Sequence, residues 1–206
     1  MIVITTERGT EAWRAAHRRR VCTSDASAFM ARVGTKRRHA LIERLVLDIE
    51  GIGQHTDEIP DPWALEHETD VAVAVASYRN ATGIDVERAG MVASDLLTWL
   101  VCSPHGLAEE GVVWTRTKRT LRSFTAKRGT LTHVDRVRAQ LMAWICERSW
   151  CDVVDIWVPG LGLPDRISIT REVASYAWVS ENVMPPLVTL WRDVAERLHD
   201  RRSAAL

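Results

Sequence analysis

Two short neighbouring segments of the chain hold side chains that could take part in chemistry. Residues 99–107 read Trp-Leu-Val-Cys-Ser-Pro-His-Gly-Leu, and residues 111–116 read Gly-Val-Val-Trp-Thr-Arg. The imidazole of His105 is a ligand that suits zinc or nickel better than magnesium. The guanidinium of Arg116 stays protonated and cannot act as a base. Trp114 has no lone pair for a metal, so its indole either fills space or stacks on another ring.

The same two segments resemble the centre of the lambda-exonuclease (YqaJ-type viral recombinase) family of PD-(D/E)XK nucleases. That family reads roughly W-L-G-A-S-P-D-G-L, a short turn, and then G-L-L-E-L-K-C-P. Its Asp, Glu and Lys bind the metal and catalyse the reaction. The matching residues here are His105, Trp114 and Arg116. The resemblance therefore implies the nuclease fold with its catalytic residues replaced.

The resemblance continues over about residues 8 to 200. Residues 13–24 are similar to the family pattern W-x-x-x-R-x-G-x-V-T-A-S, whose Arg and Ser hold the 5′-phosphate of a DNA end in active relatives. Ser24 matches that Ser, whereas His17 stands at the Arg position.

Two further segments carry catalytic positions of the family. Residues 64–70 resemble a helix that supplies another catalytic Glu, which falls here on Ala72, or on Val71 after a shift of one residue. Residues 140–152 resemble a segment whose Gln lies at the active site, and Gln140 keeps that residue.

These replacements shape the functional prediction. The family cleaves phosphodiesters with Mg²⁺ held by carboxylates and a Lys beside a metal-activated water, and no carboxylate remains at the matched positions. We therefore predict a catalytically inactive protein rather than an enzyme, encoded by a phage or prophage and without a cofactor. It would bind double-stranded DNA or a protein partner, namely a recombination or host defence factor.

Two alternatives stay open. One is a divergent DNA exonuclease whose relocated Mg²⁺ site uses other carboxylates, with Glu109, Glu110, Asp95 and Glu87 as candidates. The other is an inhibitor of a host nucleic-acid-processing factor. Trp114 could plug the former active site as core or provide a platform for a nucleotide base, and His105 could bind another metal.

Basic residues occur in blocks, although the net charge is zero. Residues 1–40 hold nine Lys or Arg against three Asp or Glu, residues 41–70 hold one against nine, and residues 116–148 hold nine against two. We predict that the basic residues flank the cleft and contact phosphate groups or an acidic partner. With Ser24, the candidate nucleic-acid-binding residues are Arg18, Arg19, Arg20, Lys118, Arg119, Arg122, Lys127 and Arg128. Relatives form ring-shaped trimers, and complementary blocks would suit such a head-to-tail contact.

Hydrophobic periodicity and capping residues predict helices first, then a small mixed sheet, then a closing helix. The helices are predicted at Thr10–His17, Asp25–Ala31, Lys36–Glu50, Trp63–Ala81, Val134–Cys146 and Arg171–Arg202, the last of which could bend at Pro185-Pro186. The strands are predicted at Val86–Ala93, Trp99–Ser103, Val112–Arg116, Asp152–Val158 and Arg166–Thr170. Loops are predicted over 51–62 and 117–132, the second of them mobile. This order predicts an α/β (α+β) domain over residues 1–206, with a restriction-endonuclease-like core.

The composition is ordinary for a globular protein: 46% hydrophobic and 26% charged residues in a chain of 206. The four cysteines form no C-x-x-C pair, so we predict buried reduced thiols. No segment is typical of a signal peptide or a membrane span, and this predicts a location in the cytoplasm of the bacterial host and no membrane partner.

Overall fold

The structure is a computed structural model that describes residues 1–4, 10–52, 62–158 and 166–204, with the backbone alone described for 62–67. Most of the predicted 51–62 loop and the turn before Arg166 lie outside these residues. Helices span Glu11–His17 (α1), Ala26–Phe29 (α2), Lys36–Glu50 (α3), Pro62–Thr82 (α4), Leu121–Lys127 (α5), His133–Ile145 (α6), Tyr176–Asn182 (α7) and Met184–Ala204 (α8). Strands span Ile2–Ile4 (β1), Val21–Cys22 (β2), Met91–Ala93 (β3), Leu100–Cys102 (β4), Gly106–Leu107 (β5), Gly111–Lys118 (β6), Trp150–Trp157 (β7) and Arg166–Val173 (β8).

The larger sheet has the strand order β5-β6-β7-β8, with β6 and β7 parallel and β8 antiparallel to β7. Val113 and Val154 pack in a cluster with α4 on one face, whereas Val112 and Val153 pack in a cluster with α6 on the other. Because both faces are covered, the first half of β6 and six of the eight residues of β7 are apolar. Helices on both faces of a mixed sheet confirm the predicted α/β class.

The smaller sheet has the order β1-β3-β4-β2, and its central strands β3 and β4 are buried throughout. β2 runs parallel to β4, so Val21 pairs with Leu100 and Cys22 with Val101. The chain leaves both strands at the same edge. A short 3-10 turn, Thr23–Asp25, therefore begins beside Ser103.

The long helices before the sheet follow their sequence signals closely. α3 has the predicted bounds: the Thr35 hydroxyl accepts a hydrogen bond from the Arg38 backbone, and Gly51 ends the helix in a left-handed conformation with φ 73°. α4 matches its predicted span to within one residue at each end and stops before Gly83, φ 70°. Among the residues described, no helix combines the length and apolar character needed to cross a bilayer.

The single closing helix predicted over 171–202 is wrong. Its first residues extend β8, all eight residues of which pair with β7. Ser175 then caps α7, and the chain restarts as α8 at Met184. Pro185 and Pro186 consequently lie in the first turn of a helix. Backbone N–H groups there make no intrahelical hydrogen bond, so the missing N–H of proline does not weaken the helix.

Two other predictions fail locally. The predicted 117–132 loop contains α5, which Thr120 caps and the buried side chain of Phe124 anchors. The strand predicted at Val86–Ala93 reaches the sheet only from Met91, because Glu87 forms an isolated bridge with Leu107 instead.

Candidate active site

A cleft of about 110 Å³ lies among α1, the turn after β2, the segment between β4 and β5, β6 and α6. Its lining combines imidazole, thiol, hydroxyl, guanidinium and indole groups. The lining residues are Trp13, His17, Cys22, Thr23, Ser24, Ser103, His105, Trp114, Arg138 and Met142. His105 and Trp114, which the resemblance predicts at metal-binding positions, thus line the same space as His17 and Ser24, which it predicts in the phosphate motif.

His105 is buried and held by β6. Its Nδ1 accepts a hydrogen bond from the Thr115 backbone N–H at 3.0 Å and lies 2.6 Å from the Thr115 hydroxyl. Because a backbone N–H can only donate, the ring proton of the neutral imidazole sits on Nε2. His105 is therefore a hydrogen-bond donor through Nε2, and its Nδ1 lone pair is not available to a metal.

Trp114 fills the space beside His105 and is 8% exposed. Its ring lies near two guanidinium groups, with Arg116 at 5.8 Å and Arg138 at 5.7 Å from the ring centroid. An indole buried to this extent does not expose a ring face on which a nucleotide base could stack. Trp114 therefore packs as a core residue in the wall of the cleft.

Two polar atoms at the cleft lack a hydrogen-bond partner within the described part of the chain. They are Nε of Arg138 and the hydroxyl oxygen of Ser103, and both atoms are buried. Arg138 donates from Nη2 to the Ser24 carbonyl at 2.6 Å, which fixes the guanidinium between α6 and the turn after β2. Buried polar atoms without partners cost roughly 1–3 kcal/mol each, and an anion in the cleft would satisfy them.

Cys22 and His17 form a pair on the wall formed by α1 and β2. Burial raises the pKa of the Cys22 thiol, but the neighbouring His17 imidazole and the hydroxyl and backbone of Ser24 outweigh this effect and hold that pKa below its usual value. The His17 ring packs against Trp13 with 5.1 Å between centroids.

Arg116 keeps a positive charge at the family's Lys position but is directed away from the cleft lining. It contacts Asp155 through Nε at 2.9 Å and Nη2 at 2.5 Å, and Asp135 through Nη1 at 2.8 Å. Lys118 lies 3.5 Å from Asp155. Burial, with repulsion from Arg116, outweighs the attraction of Asp155 and lowers the pKa of Lys118. The two carboxylates are thus neutralised by Arg116 and Lys118.

The remaining family positions lie away from the cleft lining. Gln140 donates to Glu172 at 2.8 Å and to the Val173 carbonyl at 2.7 Å, and it accepts from the Ser175 backbone at 2.8 Å. It therefore joins α6 to β8 and α7. Ala72 is exposed on α4, and Val71 belongs to the core under the larger sheet.

The candidate relocated carboxylates do not line the cleft either. Glu109 and Glu110 are exposed in the β5–β6 turn, and Glu87 is exposed beside β5. Asp95 pairs with the N-terminal ammonium at 3.0 Å. Nowhere in the described ranges do three or more His, Cys, Asp or Glu side chains form a group that could hold a metal. The described lining has hydroxyl oxygens but no carboxylate, the ligand through which proteins usually hold Mg²⁺, so these residues do not fit that ion.

The predicted DNA-contacting cations divide into those that contact groups within the chain and those that are exposed. Those of the first basic block make contacts within the chain: Arg18 with Glu11 at 2.9 Å, Arg19 with the Asp48 carbonyl at 3.1 Å, and Arg20 with the Thr98 carbonyl at 3.1 Å. In the second block Lys118 contacts Asp155, and Arg119 contacts Asp70 at 2.8 Å. The other three, Arg122, Lys127 and Arg128, are exposed on or just after α5.

No protein-family model matches the sequence, and no curated protein matches it. Solved structures do match the fold. An alkaline exonuclease from Laribacter hongkongensis, LHK-Exo, superposes with a TM-score of 0.78 over 95% of this chain and 98% of that chain, at 23% identity. The structure of LHK-Exo in complex with dAMP gives the same values. A phage-related exonuclease from Haemophilus somnus 129PT has a TM-score of 0.62 at 8% identity, over 89% of this chain and 96% of that chain.

These matches contradict the prediction that the chain is not an enzyme, since the proteins that share its fold over nearly its full length are exonucleases. The prediction rested on the loss of carboxylates at the matched positions and kept an enzyme with relocated carboxylates only as an alternative. It took no account of the guanidinium that α6 brings into the cleft or of the Nε2 proton that Thr115 fixes on His105. The comparisons also confirm the predicted core: this chain has the restriction-endonuclease-like nuclease fold of these exonucleases.

Proposed function

We propose that this chain is a DNA nuclease that holds a phosphate group of its substrate in the cleft and cleaves a phosphodiester there. One observation carries the proposal. His17, His105 and Arg138, which come from three separate elements, line a single cavity in a fold shared with exonucleases.

The cleft has the groups needed to bind phosphate. Nε of Arg138 is buried and has no hydrogen-bond partner in the described chain. The Ser103 hydroxyl oxygen is also buried and also lacks such a partner. Guanidinium groups bind phosphate oxygens through short charge-assisted hydrogen bonds. His17 stands where the family pattern has its phosphate-binding Arg, and Ser24 stands where it has its Ser. A phosphate here would therefore meet the positive charge of Arg138 together with the His17 imidazole and the Ser24 hydroxyl.

His105 is the group that we assign to stabilising the reacting phosphate. With its Nδ1 accepting from Thr115, the neutral imidazole offers its Nε2–H as a hydrogen-bond donor to a phosphate oxygen. There it would stabilise the negative charge that develops as a water molecule attacks phosphorus and the bond to the leaving oxygen breaks, a proton of that water ending on the leaving oxygen. Since the described lining does not fit Mg²⁺, we assign no step to a metal.

Cleavage of end-labelled linear duplex DNA tests the proposal, with Mg²⁺, with Mn²⁺ and in EDTA. We expect cleavage that His105→Asn and Arg138→Gln each reduce by at least about a hundredfold, the lower range for loss of one transition-state contact. The matched control is Glu109→Ala with Glu110→Ala, which changes two exposed carboxylates outside the cleft and should leave the rate unchanged.

Three results would overturn the assignment. Absence of cleavage under all three conditions would remove the nuclease proposal. Cleavage that neither cleft variant reduces would move the reaction away from the cleft. Loss of cleavage in the Glu109 and Glu110 control would place the catalytic centre in the β5–β6 turn.

A further inference from the structure

The four cysteines have two different environments. Cys102, Cys146 and Cys151 are fully buried and belong to the core. Burial raises the pKa of Cys102 and Cys151 well above the usual value for a thiol. Cys22 is 4% exposed, and of the four cysteines it alone is part of the described cleft lining.

Several groups surround the Cys22 sulfur. His17 comes from α1, where Trp13 fixes its ring. Ser24 follows Cys22 in the turn, and the Asp25 carboxylate accepts from the Cys22 backbone N–H at 2.9 Å while also pairing with Arg44. Across the cleft stand His105 and Arg138. The positive and proton-donating groups outnumber the single carboxylate, whose charge Arg44 offsets.

We propose that Cys22, paired with His17, is a modification site at which small electrophiles, in particular hydroperoxides, react within the cleft. A thiolate is the reactive form of cysteine, and a neighbouring imidazolium stabilises it. The cleft admits a molecule of this size, whereas the three core thiols have no exposed surface. Reaction at Cys22 adds an oxygen atom to the wall of the cavity that the proposed phosphate would occupy.

The chemical step balances without any further reactant. The thiolate sulfur attacks the distal oxygen of the hydroperoxide, a sulfur–oxygen bond forms and the oxygen–oxygen bond breaks. Cysteine is oxidised to sulfenic acid and the hydroperoxide is reduced to an alcohol, or to water from hydrogen peroxide. The proton on His17 goes to the leaving oxygen. A dithiol reductant restores the thiol, because sulfenic acid is the reversible stage of cysteine oxidation.

The experiment measures which cysteine reacts and how fast. The folded protein is treated with iodoacetamide from pH 5 to 9, and the modified peptides are quantified by mass spectrometry. We expect Cys22 to react before the other three cysteines and to be half-deprotonated below the usual thiol range. In His17→Asn the rate at pH 7 should fall about tenfold for each unit by which the thiol pKa rises. Hydrogen peroxide should block this labelling, and dithiothreitol should restore it.

A second measurement relates the site to the cleft and, unlike the labelling rates, rests on the proposed function. A short duplex oligonucleotide should slow labelling of Cys22, and oxidised protein should bind that oligonucleotide more weakly. Cys22→Ser should bind equally well before and after peroxide, and Cys151→Ala should behave like the unmodified chain.

Equal reactivity of the four cysteines, or an unchanged Cys22 rate in a His17→Asn protein with a native circular dichroism spectrum, would overturn the proposal. Failure of DNA protection alone would count against the phosphate site and leave the thiol chemistry standing.

Discussion

Arg19 adopts a left-handed backbone conformation with φ 62°, at the position where the family pattern reads Gly. Such a conformation in a residue with a Cβ costs on the order of 1 kcal/mol or more. The Arg19 side chain recovers part of this cost through its hydrogen bond to the Asp48 carbonyl. The basic run at 18–20 therefore includes a backbone constraint as well as charge.

We expect Arg19→Gly to raise the free energy of unfolding by up to about 1 kcal/mol, because glycine adopts this conformation without strain. Urea denaturation measures the change. Arg19→Ala is the matched control: it removes the hydrogen bond, keeps the Cβ, and should be the less stable variant of the two. An alanine variant as stable as the glycine variant would show that the backbone at 19 is not strained.

Trp114 lines the cleft and is 8% exposed. Trp114→Ala should lower the free energy of unfolding by about 3–5 kcal/mol, the usual cost of removing a buried aromatic side chain. Trp114→Phe keeps most of the apolar volume and should cost much less. Chemical denaturation of both variants checks this, and a small effect of the alanine change would return Trp114 to the role of an accessible platform.

At the scale of elements, the start of α6 links the fold to the cleft. Thr132 and Asp135 form a reciprocal capping box, and Asp135 also pairs with Arg116. Burial raises the pKa of Asp135, but hydrogen bonds from Thr132 and the charge of Arg116 outweigh this and lower the pKa below its usual value. The folded state therefore favours the ionised carboxylate.

A depressed pKa in the folded state gives stability that is present above the unfolded pKa, near 3.9, and that is lost as pH falls through the folded value. We expect Asp135→Asn to lower the free energy of unfolding at pH 7 by about 1 kcal/mol. The difference from the unmodified protein should shrink below about pH 4. Denaturation at pH 7 and pH 3 measures both, and an equal difference at the two values would contradict the role of charge.

Sequence patterns predicted elements well where local signals agree and poorly where long-range pairing decides. α3 combined a threonine cap, an apolar face and a terminal glycine, so its bounds could be predicted. The residues 171–173 have no local signal that separates a strand from a helix. Their state follows from pairing with β7, a partner about 20 residues away.

The same distinction holds for the cleft. The positions of His105, Trp114, His17 and Ser24 came from the family resemblance, and all four line one cavity. Arg138 was missed because nothing in its own helix marks it; it reaches the cleft through α6 packing against the turn after β2. Cys22 is a free, buried thiol as predicted for all four cysteines, but sequence alone does not show the imidazole next to it.

At the scale of the whole molecule, the acidic side chains described on α3 and α4 are neutralised by arginines of the same chain. The acidic residues of α3 pair with arginines: Glu43 with Arg197, Asp48 with Arg44, and Glu50 with Arg201. Those described on α4 do the same, Asp70 with Arg119 and Glu68 with Arg88. Among the described residues, the exposed cations of α5 thus remain available for a partner.

DNA binding should consequently depend more on α5 than on the first basic block. Removing one cation that binds a phosphate reduces the slope of log affinity against log salt by about one unit. We expect the triple change of Arg122, Lys127 and Arg128 to Ala to flatten this slope by up to about three units. The triple change of Arg18, Arg19 and Arg20 to Ala, which removes the same formal charge, should flatten it less because those guanidiniums already contact acceptors within the chain.

Fluorescence anisotropy with a labelled duplex between 50 and 200 mM salt, roughly the range over which such binding changes steeply, measures both slopes. A larger effect of the 18–20 variant would show that those three arginines exchange their internal partners for phosphate when DNA binds.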